Sequence, residues 1–255
     1  MLDKPSIAII IINWKKYELT RNCINSVEKS SFKNFKIILI DNESQNNFSD
    51  EINKSDKIHI IKNKNNEGFA RANNQGIKYS LKNGFDYVLL LNNDTVIKND
   101  LLDLLIKYSK TLNQKIIQPL ILNYDGSKIW NAGGSINYFF GTFEILKKGK
   151  SFKNLKINMN LTEWFTGCCV LIKSDVFNDV GYFDERFFAY YEDADFSIRL
   201  KKMGYSIALM SDSYLQHYES ASSKSINKSE GNLSPYVHYL NIRNHILLLK
   251  KHSKS

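Results

Sequence analysis

Four short apolar runs constrain the fold of this chain more than any other feature of its sequence. Such short and nearly continuous runs are typical of strands that are buried on both faces of a sheet. Apolar residues at helical spacing occupy the segments between them, as at Leu19, Cys23 and Val27. Strands that alternate with helices predict an α/β fold with a doubly wound, mostly parallel central sheet and helices on both faces. The four runs lie at residues 7–12, 35–40, 57–61 and 88–91.

Length and composition favour a single folded domain. The chain has 255 residues, of which 43% are hydrophobic and 24% are charged. These fractions are ordinary for a globular protein and argue against a mainly disordered chain. A chain of this length can bury one large α/β core, so we expect one domain over residues 1–255.

The formal net charge of +9 comes mainly from lysine. A basic surface favours anionic partners such as nucleotides, phosphorylated lipids or an acidic membrane, although a solvated lysine face is the commoner explanation. The sequence has no zinc-finger, RNP-type or homeodomain-like pattern. We therefore do not expect nucleic acid to be a partner.

The cysteines and the lengths of the apolar runs bear on the cellular compartment. Cys23, Cys168 and Cys169 are odd in number and lack metal-ligand spacing. This pattern favours reduced, buried thiols in a cytosolic protein. The run at residues 7–12 is too short for a signal-peptide core or a membrane span. We therefore expect a cytoplasmic protein that does not cross a membrane.

The run at residues 88–91 ends abruptly in the polar residues Asn92, Asn93 and Asp94. In open α/β sheets, ligands bind beyond the carboxyl ends of the strands, so a carboxylate released at this point faces the expected crevice. Asp94 is therefore a candidate metal ligand. The alternative is that Asp94 closes a turn or caps the helix predicted to begin near Asp100.

A glycine turn at Gly68 opens another predicted helix, which carries Arg71 in its first turn. The start of a helix offers free backbone N–H groups and a positive dipole end to an anion, and Arg71 adds a charge. The alternative is a plain turn, because the segment matches neither a dinucleotide fingerprint nor a P-loop.

Three carboxylates, Glu192, Asp193 and Asp195, follow a run of aromatic residues. Acidic residues favour the first turn of a helix through its dipole. This preference accounts for one or two of the three carboxylates but not for the aromatic residues that precede them. His217 follows the last predicted strand, at residues 205–210. A lone histidine is more often structural than ligating.

Three later segments lack a strand pattern. Residues 124–161 are irregular and glycine-rich, and we interpret them as short strands and loops that form a lid beside the site. Residues 220–234 are polar and predict a flexible loop. A C-terminal helix predicted at 234–253 either docks on the domain or lies on a membrane surface. One face of that helix carries Tyr239, Ile242, Ile246 and Leu249.

The order and spacing of these signals resemble glycosyltransferase family two, a family with the GT-A fold, and specifically its rhamnosyltransferase-like branch. Each matching segment is weak alone, whereas the joint pattern covers nearly the whole chain. The resemblance implies a nucleotide-sugar-binding half at residues 1–100 and an acceptor and catalytic half at 101–222. The matching segments are residues 9–14, 41–44, 66–76, 89–95 and 167–205, with His217 and the pair Arg243 and Asn244.

The resemblance implies a nucleoside-diphosphate sugar as the donor. Asp94 matches the last acid of the family's Asp-X-Asp motif, which holds a divalent metal, Mg²⁺ or Mn²⁺, between the two donor phosphates. His217 matches a position that can complete the metal site. Asn92 replaces the first acid, and a neutral amide is a poorer ligand for a hard cation than a carboxylate. The implied donor-binding residues are Asn13, Asp41, Asn42, Asn66, Gly68, Phe69, Arg71, Asn74 and Asn93.

Asp193 matches the catalytic base of the inverting members of this family. Such a base takes the proton of the acceptor hydroxyl as that oxygen attacks the anomeric carbon. The metal would stabilise the charge on the departing diphosphate. The alternatives for the acceptor-binding residues are core packing for the aromatic ones and helix capping for the acidic ones. The implied acceptor-binding residues are Trp164, Gly167, Tyr191, Glu192 and Asp195.

The resemblance thus implies a metal-dependent, inverting glycosyltransferase that uses dTDP-rhamnose or a UDP-sugar. Its expected acceptor is a surface saccharide on a lipid carrier, and its basic C-terminus fits a peripheral contact with the inner face of the membrane. One alternative is a nucleotidyltransferase, which would release pyrophosphate from a nucleoside triphosphate. Another is an inactive nucleotide-binding module, for which Asn92 is the only indication.

Overall fold

The computed structural model describes residues 5–43, 52, 55–153, 161–218 and 234–252. Its strands are β1 (Ile7–Asn13), β2 (Phe35–Asn42), β3 (Ile58–Asn63), β4 (Tyr87–Leu91), β5 (Thr95–Ile97), β6 (Ile116–Asn123), β7 (Ile129–Asn131), β8 (Gly134–Asn137), β9 (Thr142–Ile145), β10 (Leu161–Thr162), β11 (Cys169–Lys173) and β12 (Ile207–His217). Its helices are α1 (Tyr17–Glu28), α2 (Gly68–Lys82), α3 (Leu101–Thr111), α4 (Val176–Val180), α5 (Glu192–Lys202) and α6 (Pro235–His252), and a short 3-10 helix spans Glu185–Phe187.

A ten-stranded mixed sheet forms the centre of the fold, and its main path runs β10-β12-β6-β11-β4-β1-β2-β3. Strands β4, β1, β2 and β3 are mutually parallel, and β12 is parallel to β6. β11 runs antiparallel to both of its neighbours, β4 and β6. β5 pairs with β12 and β7 pairs with β6, whereas β8 and β9 form a separate hairpin. The predicted α/β class and mostly parallel sheet are confirmed.

The alternation of side chains along β1 builds a core on each face of the sheet. Ile9 belongs to the same buried cluster as Cys23 of α1, whereas Ile10 belongs to the cluster that contains Ile77 of α2. A side chain at Gly76 would meet Ile10 at 2.8 Å, so the close approach of α2 to β1 requires a glycine. Helices therefore cover both faces, as expected.

The last strand departs from its expected boundary at residue 210. β11 begins at Cys169, and Thr166, which precedes it, donates its main-chain N–H to the side chain of Gln118. β12 continues beyond residue 210 to His217, because its last residues pair with β5 as well as with β6. The expected glycine-rich lid contains β7 and the β8–β9 hairpin.

Parts of several predicted segments lie outside the described residues. These parts are Ser44, residues 154–160 of the expected lid, residues 220–233 of the expected loop and residue 253 of the expected C-terminal helix. The described cysteines Cys23, Cys168 and Cys169 are buried and free, as predicted.

The C-terminal helix α6 docks on the domain through a face other than the one its apolar pattern suggested. Val237, Leu240 and Leu248 are buried, whereas Ile242 and Ile246 of the expected face are 65% and 50% exposed. In the described ranges, no helix has both the length and the apolar composition to span a bilayer.

Candidate active site at the carboxyl ends of the parallel strands

The candidate site lies at the edge of the sheet where β1, β2 and β4 end. Asn13 and Asp41 are paired neighbours at the ends of β1 and β2, and Asn92 follows β4. Asn13, Asp41 and Asn42 are at most 4% exposed. Because the carboxyl ends of parallel strands meet at one edge, the residues expected to hold the nucleoside form one buried polar cluster.

A hydroxyl of α1 joins two of these strand ends. Thr20 Oγ1 donates to Asn13 Oδ1 at 2.8 Å and accepts from Asn93 Nδ2 at 2.8 Å. Thr20 is fully buried. The sequence analysis missed this residue, because a single threonine in an amphipathic helix leaves no periodic signal. Only its place directly after the end of β1 could have suggested it.

Side-chain amides connect the end of β2 to the segment before α2. Asn42 Nδ2 donates to Asn66 Oδ1 at 2.8 Å, and Asn42 Oδ1 accepts from Asn63 Nδ2 at 3.1 Å and from Glu67 N at 3.0 Å. Asp41 Oδ1 is buried and has no hydrogen-bond partner among the described residues. An unpaired buried carboxylate oxygen is costly unless a ligand donates to it. Asp41 is therefore suited to a hydrogen-bond donor on a nucleoside.

The start of α2 is already occupied by protein groups. Gly68 N donates to Asn66 Oδ1 at 3.0 Å, and Ala70 N donates to Phe188 O at 3.0 Å. The expectation that this helix start offers free N–H groups to an anion is wrong for these two groups. The space is also tight, because a Cβ at Gly68 would meet the Phe188 oxygen at 2.7 Å.

Arg71 and Asn74 of α2 contact the second half of the chain. Arg71 pairs with Glu67 at 3.0 Å and approaches Glu185 at 3.8 Å, so two carboxylates already accompany its charge. Asn74 exchanges hydrogen bonds with the main chain of Phe183 at 2.9 and 3.0 Å and donates to Glu185 at 3.0 Å. Asn74 is 2% exposed. This corrects the expectation for Asn74, whose amide links the two halves of the domain and is not free for a donor.

Asp94 and His217 meet because β5 pairs with the end of β12, where His217 is the partner of Thr95. Asp94 Oδ1 lies 3.1 Å from His217 Nε2, and the two residues are 9% and 5% exposed. The contact lacks hydrogen-bond geometry, and Asp94 Oδ1 has no other hydrogen-bond partner within the described chain. His217 Nδ1, the ring nitrogen that faces away from this contact, is also without a hydrogen-bond partner there. Trp130 packs edge-on against the imidazole, with the ring centroids 4.3 Å apart.

Asp94 Oδ1 and the adjacent His217 Nε2 fit a divalent cation. Carboxylate oxygens suit Mg²⁺ and Mn²⁺, imidazole nitrogen suits transition metals, and Mg²⁺ commonly takes only one or two protein ligands beside substrate phosphates. Across the described ranges, no three His, Cys, Asp or Glu side chains converge on one point. Asp94 and His217 could therefore supply only part of a coordination shell. Asn92 stands next to them, with its main-chain groups bonded to Cys168 and Thr95.

Main-chain donors hold the carboxylate of Asp193 at the same edge of the sheet. Asp193 Oδ2 accepts from Gly167 N at 3.0 Å, and its Oδ1 accepts from Ala194 N at 2.8 Å. The next residue, Cys168, accepts a bond from Asn92 N at 2.8 Å. Two adjacent residues thus join the candidate base to the polar end of β4.

Burial raises the pKa of both Glu192 and Asp193, and the neighbouring carboxylate raises that of Glu192 further. The two N–H donors on Asp193 oppose its shift, because they stabilise the ionised form. Glu192 is 4% exposed, and its Oε2 has no hydrogen-bond partner in the described structure. The main-chain donors thus favour the ionised form of Asp193, which is the form that a base requires.

The loop before Asp193 has an unusual backbone. Phe188, Tyr190 and Tyr191 have φ angles of 64°, 71° and 70°. This left-handed region is uncommon for residues other than glycine and persists only where the surroundings enforce it. The loop thus needs support from elsewhere in the fold.

Helix α6 supplies that support through Asn244, which is fully buried. Asn244 Nδ2 donates to the carbonyls of Phe187, Ala189 and Tyr190 at 2.9, 2.8 and 2.7 Å. Arg243 adds a bond to the Phe187 carbonyl at 2.7 Å. The family resemblance includes Arg243 and Asn244 but assigns no role to them. The structure shows that the pair binds the loop that presents Asp193.

Asp195 has a structural role in place of the expected acceptor contact. It is fully buried and lies 3.0 Å from Arg199, 2.8 Å from Lys251 and 2.7 Å from His252. Burial opposes ionisation of Asp195, but the bond from His252 and the charge of Arg199 lower its pKa. Asp195 therefore anchors the end of α6 on α5, which corrects the expected acceptor role.

The remaining candidates for acceptor binding are partly committed to packing. Trp164 is 7% exposed, and its ring packs edge-on against Phe143 at 5.6 Å, which favours the core-packing alternative. Tyr191 contacts the same ring at 5.7 Å. A Cβ at Gly167 would meet the Phe69 ring at 2.9 Å, so Phe69 of the donor side touches the residue that holds the candidate base.

Comparisons with known proteins agree on one family. Residues 8–181 match the model of Glycosyl transferase family 2. The low-salt glycan biosynthesis hexosyltransferase Agl10 of Haloferax volcanii is 29% identical over 208 residues, which cover 81% of this chain and 64% of the relative. The dTDP-rhamnosyl transferase RfbF of Shigella flexneri is 27% identical over 230 residues, which cover 86% of this chain and 72% of the relative.

A solved structure shares the fold. The crystal structure of GalNAc-T7 with UDP, GalNAc and Mn²⁺ superposes with a TM-score of 0.74 at 15% identity. The match covers 98% of this chain and 48% of that one. This chain thus spans about two thirds of the length of the first curated relative and about half of the solved one.

Proposed function

Because this chain belongs to glycosyl transferase family 2, we propose that it is a metal-dependent, inverting glycosyltransferase that moves a sugar from a nucleoside-diphosphate donor to a saccharide hydroxyl. One observation carries the proposal. The Asp94–His217 pair and the carboxylate of Asp193 lie at the same edge of the sheet, and Gly167 and Cys168 connect them.

The proposed chemistry is a single displacement. Asp193 accepts the proton of the acceptor hydroxyl while that oxygen attacks the anomeric carbon, and the bond from that carbon to the diphosphate oxygen breaks on the opposite face. Asp94 and His217 would hold the divalent cation, Mg²⁺ or Mn²⁺, which stabilises the negative charge on the leaving diphosphate when bound. A single displacement needs no enzyme nucleophile, so one base and one cation suffice.

We propose dTDP-rhamnose or a UDP-sugar as the donor. The similarity to RfbF, named as a dTDP-rhamnosyl transferase, supports the first, and the likeness to GalNAc-T7 solved with UDP is compatible with the second. Asp41 Oδ1, buried and unpaired among the described residues, would accept a hydrogen bond from the nucleoside. Asn13 and Asn42 lie beside it.

We propose a saccharide of a surface glycan, carried on a lipid, as the acceptor, and a peripheral location at the cytoplasmic face of the membrane. Agl10 is named as a glycan biosynthesis enzyme, which supports the acceptor class. The formal charge of +9 is compatible with an anionic membrane surface.

Calorimetric titration of UDP, dTDP and GDP, each with and without Mn²⁺ or Mg²⁺, tests the proposal. We expect metal-dependent binding of one diphosphate to the parent, loss of that binding in Asp94→Ala, and retention in the control Asp56→Ala, an exposed carboxylate in the turn before β3. No binding of any diphosphate would refute the donor site.

Product analysis separates the proposal from its two rivals. The proposed enzyme releases a nucleoside diphosphate from a nucleotide sugar. Release of pyrophosphate from a nucleoside triphosphate would instead identify a nucleotidyltransferase. Nucleotide binding without turnover of any donor in the presence of acceptor saccharides would identify an inactive module.

A further inference from the structure

The outer face of α6 is an exposed apolar ridge. Tyr236, Tyr239, Ile242 and Ile246 are 57%, 57%, 65% and 50% exposed. They are spaced three or four residues apart, so they share one side of the helix. The opposite side is used for docking, with Asn244 bound to the loop before Asp193. No other described segment covers the ridge, although the helix is firmly attached.

The turn of the β8–β9 hairpin extends this ridge with two phenylalanines. Phe139 is 84% exposed and Phe140 is 60% exposed. The turn touches α6, because the Phe140 carbonyl lies 2.7 Å from His245 Nε2. A Cβ at Gly141 would meet Leu249 at 2.8 Å. The exposed aromatic tip and the helix ridge are therefore neighbours on one surface, which we call the apolar surface.

Lysines flank the apolar surface. Lys250 follows the ridge on α6 and is exposed, Lys202 Nζ lies 3.1 Å from His252 Nδ1 at the end of the same helix, and Lys201 Nζ lies 4.7 Å from the ring centroid of Tyr138 in the hairpin. Like charges disfavour the approach of two such surfaces from two copies of the chain. An anionic bilayer attracts the lysines and takes up exposed apolar side chains, as for helices that lie in the membrane interface.

The apolar surface begins beside the candidate active site. The ring of Tyr236 contacts the ring of Phe188, with the centroids 6.3 Å apart. The Phe188 carbonyl in turn accepts a hydrogen bond from Ala70 N of α2, and Phe188 belongs to the loop before Asp193. A surface in this position would bring the site to the level at which lipid-linked saccharides emerge from a bilayer.

We propose that the outer face of α6 and the tip of the β8–β9 hairpin dock on an anionic lipid bilayer. The inference deepens the proposed function, since it gives the lipid-carried acceptor a place to be met. It rests on exposure, shape and charge, and lipid binding can be measured without any donor or acceptor.

Vesicle co-sedimentation of the full chain tests this surface. The probes are vesicles of phosphatidylcholine alone and of phosphatidylcholine mixed with phosphatidylglycerol. The parent should bind the mixed vesicles, bind the neutral ones far less, and lose binding as salt is raised. The double variant Ile242→Glu/Ile246→Glu should have an affinity for mixed vesicles that is lower by about tenfold or more, because two apolar contacts are replaced by charges that anionic lipid repels.

Two further variants make the test specific. Phe139→Ser/Phe140→Ser should also weaken vesicle binding, whereas Leu112→Glu, a control at an exposed residue at the end of α3, should not. Nucleotide binding by all variants should equal that of the parent, which shows that they fold. Asp94→Ala should keep parental lipid binding, so failure of the donor site and failure of this surface are distinguishable.

The proposal is overturned if the parent does not sediment with mixed vesicles, or if the Ile242→Glu/Ile246→Glu variant binds them like the parent. Light scattering gives a second way to overturn it. A parent that has the mass of two copies, and that becomes a single copy in the same variant, would identify the apolar surface as a contact between copies of this chain.

Discussion

The donor side and the acceptor side of the site are built in different ways. Asp94 stands at the end of a buried strand, and His217 reaches it through the pairing of β5 with β12. Asp193 instead follows a loop with left-handed residues, which a helix more than 40 residues later in the chain supports through Asn244. The sheet itself fixes the donor side, whereas the acceptor side depends on long-range docking. Substitutions remote from the reacting atoms should therefore affect the acceptor side more.

Loss of the base should have the largest effect. It should lower kcat and leave donor binding unchanged. Asp193→Asn keeps the size of the side chain but cannot take a proton, so kcat should fall by about 10² to 10⁴. Calorimetric affinity for the diphosphate should stay at the parental value. Glu192→Gln is the matched control and should keep most of the activity, because it leaves the Asp193 carboxylate and its two main-chain donors in place. An Asp193→Asn enzyme with parental kcat would contradict the base assignment.

Removal of the donor-side carboxylate should have the next largest effect. Asp94→Asn should weaken metal-dependent diphosphate binding by about 10- to 100-fold or more, since even an indirect partner of a metal ligand can cost that much. The loss should be smaller when the diphosphate is titrated without metal. Equal affinities of parent and variant in Mn²⁺ would show that Asp94 does not hold the cation.

A smaller effect, confined to the acceptor side, is expected for Asn244→Ala. The variant leaves the carbonyls of Ala189 and Tyr190 without their side-chain donor, while Arg243 still donates to that of Phe187, and the free energy of unfolding should fall by about 1–3 kcal/mol. It should also lower kcat while donor affinity is kept, because the loop no longer presents Asp193 correctly. Asn241→Ala, a half-buried residue of the same helix, is the control for urea unfolding and for kcat. A drop in donor affinity equal to the drop in kcat would contradict this assignment.

The smallest expected effect concerns pH and the anchor of α6. The pKa of Asp195 is lowered in the folded chain, so its ionised form adds stability above the ordinary aspartate pKa of about 3.9. This contribution should be lost as the pH falls below that value towards the lowered folded pKa. Thermal unfolding of Asp195→Asn and of the parent, followed from neutral to acidic pH, should differ most near neutral pH. A constant difference at all pH values would exclude ionisation of Asp195 as the cause.

The same contrast explains how much could be predicted from sequence. The four apolar runs and the polar residues after them identified the parallel strands and brought Asp41 and Asp94 to one edge. This works because buried parallel strands are continuous apolar segments and their ends converge. The contact of His217 with Asp94 required the family resemblance, since the pairing of β5 with β12 has no local signal.

The acceptor side was harder to predict. Asp195 was assigned to acceptor binding or helix capping, because its partners Lys251 and His252 reach it only in the folded chain. The role of Asn244 was equally hidden, since helical periodicity reports apolar faces and not which carbonyls an amide reaches. Long-range polar contacts of this kind are not encoded in any local pattern.

The reversed direction of β11 has a consequence for the connection between the two sides. Because β11 runs opposite to β4, the entrance to β11 and the exit from β4 share one rim, and Gly167 meets Asp193 there. In an all-parallel sheet the five residues of this strand would place its entrance at the far rim, about 17 Å away at about 3.3 Å per residue. The antiparallel β11 thus allows one rim of the sheet to receive residues from the carboxyl end of β4 and from the amino end of β11.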